Sequence, residues 1–239
     1  MDFDRYLEYI DLESDRLANA VKDLDAPVPP CPGWTVRECV RHTGSVYWHK
    51  VTCMRLQRQP EEHEWPTDPS DEQDLVAWFR EAHQTLRTEL TSREPTSHSP
   101  TWWPPDQTVG FWYRRMAQEV AVHRGDVESA YGAITPVADD LALDGIDEVL
   151  RRMLAGPDPL PGSGPTVDVA AGGQSWRLTL LPEGENVTTH TPDLADAIVS
   201  GEPSEVYLWL WNRRPDDAVR FDGDPEVIDA LRRRLADSE

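Results

Sequence analysis

Glu119 and His123 stand four residues apart in QEVAVHRGD, residues 118 to 126, inside a segment that otherwise reads as a buried helix. Positions i and i+4 of a helix lie one above the other, about 5–6 Å apart at Cβ. A carboxylate and an imidazole so placed make a solvated pair, a satisfied polar spot in a core, or half of a metal site. Along this helix Trp112, Met116, Glu119, His123, Asp126 and Ala130 form one stripe, and Val109, Tyr113, Met116, Val120, Val127 and Tyr131 form its neighbour. Glu119 and His123 therefore border the apolar face, where a carboxylate needs a hydrogen-bonded or charged partner because desolvating it alone is very unfavourable.

A second stripe, Cys39, His42, Val46, His49 and Cys53, puts two histidines two turns apart on another helix, against its apolar side. If one of them faced the first pair, two imidazoles and one carboxylate would leave a fourth position open, as in catalytic zinc sites. The spacing alone does not choose this over ordinary helical pairing. His49 and His63 read as core or surface residues, and Cys39 and Cys53 as small buried hydrophobes kept in reserve as ligands. Arg114 and Arg115 read either as holders of an anionic substrate or as a solvated face.

The elements that must position these groups follow from periodicity. Phe3, Tyr6, Leu7, Ile10, Leu17, Val21 and Leu24 mark an amphipathic first helix, which the prolines of DAPVPPCPGW stop. Thr35 with Glu38 makes a capping-box pattern opening a second helix to about Gln57. Residues 60–70 read as loop, and a third helix spans about Asp71 to Thr91. The proline-rich REPTSHSPTWWPPDQT then places Trp102 and Trp103 as caps on the core. A fourth helix runs from about Thr108 to Tyr131. Four such helices imply a bundle. Residues 139–155 read as one more helix and AGPDPLPGSGP as a linker. TVDVA, SWRLTLL and NVTTH then alternate as in an antiparallel meander. Helical stretches at about Pro192 to Ser200 and Pro203 to Asn212, and a terminal helix from about Asp224, complete the expectation.

Composition excludes some classes of function. A net charge of −21 over 239 residues repels phosphate backbones and anionic lipid, so neither nucleic acid nor membrane is expected as a partner. No apolar run approaches a bilayer span, and the acidic, amphipathic start is unlike a targeting peptide, so a cytoplasmic location is expected. Three clustered cysteines, Cys31, Cys39 and Cys53, give no disulfide framework and read as reduced thiols. Only Lys22 and Lys50 of the 23 basic residues are lysine, a bias that suggests a GC-rich genome.

CPGWTVRECVRHTGSVYWHK (31–50) and FWYRRMAQEVAVHRGDVESAYG (111–132) together resemble the mycothiol-dependent maleylpyruvate isomerase family of actinobacteria, within the DinB-like metal-binding superfamily. LLPEG, AIVSGEPSEVYLWLWNRR and FDGD resemble that family's second domain, so the likeness covers nearly the whole chain. It implies an α+β chain: a DinB-like four-helix bundle over 1–156 and a smaller α/β domain over 162–239. The family pairs a histidine eight residues after the tryptophan of GWT with Glu-x-x-x-His on the last bundle helix. By that match the metal ligands are His42, Glu119 and His123, with Asp126 orienting an imidazole from behind. Gln118 and Gly125 depart from the family's usual residues without removing a ligand.

The resemblance further implies zinc or another divalent metal, and mycothiol or a similar small thiol as co-substrate. The thiolate would add to an electron-poor cis double bond of a small substrate such as maleylpyruvate, the carbon–carbon bond would rotate, and elimination would give the trans product. A thiol S-transferase relative would release the adduct instead. No residue is assigned as acid or base or to the thiol, and a monomer or small homo-oligomer is expected. Two other readings stay open: a metal-bearing binding or sequestration protein without turnover, and a hydrolase using metal-activated water.

Overall fold

The computed structural model describes residues 1–65, 69–70, 74–189 and 193–237. Tertiary contacts divide the chain into two units, residues 1–135 and 136–239. In the first, α1 (Phe3–Ala20), α2 (Val36–Leu56), α3 (Leu75–Thr91) and α4 (Val109–Ser129) form the bundle, α1 packing chiefly on α4 and α2 on α3 and α4. The ends are set locally. Asp2 caps α1 by accepting from the Arg5 amide, and Thr35 and Glu38 close the capping box of α2. Asp74 caps α3 through the Val76 and Ala77 amides; residues 71–73, where the sequence pattern starts that helix, lie outside the described residues. Within the expected loop a short 3-10 turn spans Glu62–Glu64, and residues 66–68 likewise lie outside the description.

The buried face of α2 is Val36, Cys39, Val40, Thr43, Gly44, Tyr47, Val51, Cys53 and Met54. His42, Val46 and His49 lie beside it, half-buried, and not on the apolar side where the stripe puts them. The inner row of α2 sits tight on α3: a Cβ on Gly44 would lie 2.1 Å from Cζ3 of Trp78. The helices therefore approach where only glycine leaves room. α4 is central and buried on most of its circumference, so each polar side chain on it needs a partner. Arg124, fully buried, donates to Glu13 of α1 at 2.7 Å, to Glu128 at 2.7 Å and to the Thr135 carbonyl at 2.6 Å. Trp102 lies edge-on to Phe111 at 5.2 Å yet is 43% exposed, so it shields the α4 start without being buried by it.

The second unit is built on a five-stranded sheet of order β3-β2-β1-β4-β5, from β1 (Thr166–Ala171), β2 (Gln174–Leu181), β3 (Gly184–Thr189), β4 (Ala197–Gly201) and β5 (Arg220–Gly223). β1 and β2 turn through Gly172 and Gly173, whose φ values of 53° and 78° suit the two-residue hairpin. The helices are α5 (Asp139–Glu148), continued by a π-helical turn Val149–Leu154, α6 (Pro203–Leu210) and α7 (Pro225–Asp237). α5 packs on α6, which is why the contact boundary falls near Pro136, whereas the sequence reading puts residues up to 156 with the bundle and starts the second domain at 162.

The expected helix over about Pro192 to Ser200 is overturned. Ala197–Gly201 is a strand running parallel to β1, and β5 adds a further antiparallel strand that the sequence reading did not contain; residues 190–192 are outside the description. Burial alternates along β4, with Ala197 and Val199 inside and Ile198 half-buried, but three consecutive apolar residues hide that period in the sequence, and so short a run does not tell strand from helix. Among the described residues no helix is long and apolar enough to cross a membrane.

Candidate metal centre

Two helices and one loop build the site. α4 presents Glu119 and His123 on adjacent turns, and α2 brings His42 across from them. His42 Nε2 lies 3.2 Å and His123 Nε2 3.3 Å from the same atom, Oε1 of Glu119. The three donor atoms all fall within 4.8 Å of one another. Four-coordinate zinc with nitrogen and oxygen ligands at ~2.0–2.2 Å has donor–donor edges of roughly 3.3–3.6 Å. The two separations measured to Glu119 are close to such edges, so the side chains present fit a divalent ion without large rearrangement.

Each member is held from behind. The His123 ring donates from Nδ1 to Oδ2 of fully buried Asp126 at 2.9 Å, which fixes the tautomer with Nε2 turned to Glu119. Arg115, 5% exposed, donates to Oε2 of Glu119 at 3.0 Å and leaves Oε1 to the imidazoles. Both sequence readings of Arg115, solvated face and substrate holder, give way to this: it orients the Glu119 carboxylate. Cys39 lies beneath, its thiol donating to the His123 carbonyl at 3.5 Å. Over the top, Trp34 stacks on His123 at 6.1 Å between centroids and tilts against His42 at 5.1 Å. The proline-rich turn holding Trp34 is pinned by Val28 N–H to the Trp34 carbonyl at 3.0 Å and by the Pro27–Thr35 bridge. The tryptophan of GWT thus shapes the site physically, a role that sequence reading used only as a landmark.

Burial alone would drive the Glu119 pKa up and that of His123 down. Instead, the charge and hydrogen bond of His123, with His42 and Arg115, hold Glu119 well below the carboxylate range. The charge of Glu119, with the Asp126 bond, holds His123 well above the imidazole range. Two carboxylates flanking one imidazole make this a place that demands positive charge, whether a proton or a metal ion supplies it.

A second group of potential ligands, Cys39, His123 Nδ1 and Asp126, shares the same histidine but is wholly buried. The first group, in contrast, opens through His42 to a cavity of about 580 Å³ lined by Trp34, Arg41, Val46, His49, Lys50 and Trp65, with Glu38 and Ser45. Of the two groups, only this one has a residue lining that cavity. His49 lines the cavity but belongs to neither ligand group, and His63 is exposed beside Glu61. Cys31, Cys39 and Cys53 are all free thiols. A larger concavity, about 840 Å³, lies on the sheet of the second unit among Asp168, Ser200 and Arg220. It holds none of the histidines, so size does not locate the chemistry.

Comparison with known proteins agrees with both halves. Residues 8–128 match the mycothiol maleylpyruvate isomerase N-terminal domain, and residues 140–230 the MDMPI C-terminal domain. Two solved structures share the fold. One is of the mycothiol-dependent maleylpyruvate isomerase (14% identity), and the other is of a histidine-to-alanine mutant of it (13% identity). Each alignment covers 93% of both chains at a TM-score of 0.60. No curated protein matches the sequence.

Proposed function

Because the chain belongs to the mycothiol maleylpyruvate isomerase family, we propose that it is a thiol-dependent isomerase converting a small, electron-poor cis alkene to its trans isomer. Its co-substrate in this reading is mycothiol or a similar small thiol, and its cofactor a divalent metal, zinc by the chemistry of the donors. The observation that carries the reading is the convergence of His42 and His123 on one oxygen of Glu119, at 3.2 and 3.3 Å, beside an open cavity.

A divalent ion held by His42, Glu119 and His123 would supply Lewis acidity, keeping a thiol ionised as the nucleophile. The chain's own groups prepare for that. Asp126 keeps a His123 proton on Nδ1, so that Nε2, facing Glu119, is the nitrogen that would bind the ion on losing its own proton. Arg115 fixes the Glu119 carboxylate and limits its rotation. Trp34 lies against both imidazoles and restricts the rotation of their rings. Addition of the thiolate and its later elimination need no net proton.

The test is turnover. Zinc-loaded protein with mycothiol and maleylpyruvate should convert the cis to the trans acid, followed by proton NMR of the alkene. Protein without thiol, and His42→Ala, should be inactive. Thiol-independent cleavage of the substrate by water into two products would instead favour a hydrolase. Metal binding with no conversion of any cis-enone would favour a sequestration protein.

A further inference from the structure

Lys50 sits two turns beyond His42 on α2 and lines the same cavity. The chain has only two lysines and a net charge of −21, yet it sets this ammonium, with Arg41, in the wall beside the histidines. Among the described residues, Lys50 has no carboxylate within ion-pair distance. Its Nζ donates to Nδ1 of His49 at 3.0 Å and lies 4.9 Å from the centroid of the buried Trp112 ring. Burial pushes its pKa below the ordinary lysine value, as expected of an ammonium short of counter-charge.

His49 strengthens the point. Because its Nδ1 accepts from an ammonium, which can only donate, the neutral ring carries its proton on Nε2 and is itself a donor. Glu38, the carboxylate lining this cavity, is already engaged: its Oε2 accepts from the Thr35 amide and hydroxyl in the capping box. The cavity is therefore lined by cationic and donor groups together with the apolar surfaces of Trp34, Val46 and Trp65, the last edge-on to His49 at 4.8 Å between centroids.

We propose that Lys50 is the specificity-determining residue of this cavity, anchoring a carboxylate of the electrophile while the flat, conjugated part lies along the tryptophans toward His42. The proposal rests on the function given above for what the anchored molecule then undergoes. The anchoring can be measured without any turnover.

The probe is maleate, with dimethyl maleate as its uncharged counterpart, titrated into full-length protein with and without zinc. With only Lys22 and Lys50 to assign, lysine labelled with carbon-13 at Cε gives two reporters. Lys22, over the Tyr131 ring, serves as the control. Maleate should shift the Lys50 signal and leave Lys22 in place, and the diester should shift neither. Lys50→Met should weaken maleate by roughly 10- to 100-fold, the scale of a charge-assisted hydrogen bond, while Lys50→Arg retains most of the affinity. Affinity for an uncharged thiol such as N-acetylcysteine amide should be equal in all three proteins. A Lys50 signal unmoved by maleate would overturn the inference even if Lys50→Met failed to fold, as would equal maleate binding by folded Lys50→Met. Maleate binding through Lys50 with no thiol-dependent isomerisation would defeat the proposed function and leave the anchor standing.

Discussion

Replacing Asp126 with asparagine tests whether the centre is organised from behind. The side chain keeps its shape and stays buried, but the carboxylate that accepts from His123 Nδ1 at 2.9 Å becomes a neutral amide. The ring then loses both its charge partner and the strict requirement that Nε2 face Glu119. Loss of such an outer partner weakens metal binding by ~10- to 100-fold, equivalent to about 1.4–2.8 kcal/mol. At fixed free zinc the same energy is missing from the metal-induced stabilisation. For a unit of 135 residues, at about 3–4 °C per kcal/mol, the zinc-induced rise in Tm should shrink by roughly 4–11 °C. Chelator competition measures the affinity and differential scanning calorimetry the shift, with His42→Ala and Cys39→Ala alongside. His42→Ala should lose most of the metal, and Cys39→Ala should keep it. The reverse pattern, metal lost from Asp126→Asn and Cys39→Ala but kept by His42→Ala, would refute the reasoning. It would mean that the ion sits on the wholly buried side of His123.

Three further outcomes follow from the same contacts. Zinc affinity should fall as pH falls through the neutral range, because Glu119 and Asp126 hold a proton on His123 that the metal must displace; calorimetric titrations in buffers of different ionisation enthalpy should show net proton release, and none would contradict the assigned charge. Arg124→Met removes one of the two arginine partners of fully buried Glu13 and leaves Arg16 on the other oxygen, so it should cost about 1.5–3 kcal/mol, the scale of a hydrogen bond to a charged group; a change in urea unfolding below ~0.5 kcal/mol would mean that Arg16 alone satisfies that carboxylate. His49 should titrate at about 4, chiefly because burial disfavours its charged form and secondarily because Lys50 repels it. Since its folded value lies below the unfolded ~6.5, stability is complete above that pH and is lost as pH falls from ~6.5 toward 4; an NMR midpoint near 6.5 would contradict this.

Parts of the fold were legible because they are written in local spacing. The four bundle helices, the capping box at Thr35 and Glu38, and the β1–β2 hairpin through Gly172 and Gly173 each depend on residues within a few positions of one another. β4 was not legible. Its identity as a strand comes from lying between β1 and β5, partners 30 residues before and 20 to 26 after it. Arg115 had two sequence readings and needed a third, because whether a helical arginine meets solvent depends on what packs against the helix. The i,i+4 spacing to Glu119 was the one signal available.

At the centre itself, sequence alone determined that Glu119, His123 and Asp126 share one stretch of α4, since helical geometry fixes that whatever surrounds it. Spacing did not choose between His42 and His49; within the sequence only the resemblance to the family pointed to His42. The two are a heptad apart and point almost the same way from α2, differing by about 10.5 Å along its axis. Only the level at which α2 crosses α4 decides which imidazole meets Glu119. That level is set by side chains from several helices packing at once, such as Trp78 of α3 against Gly44, and not by any local pattern.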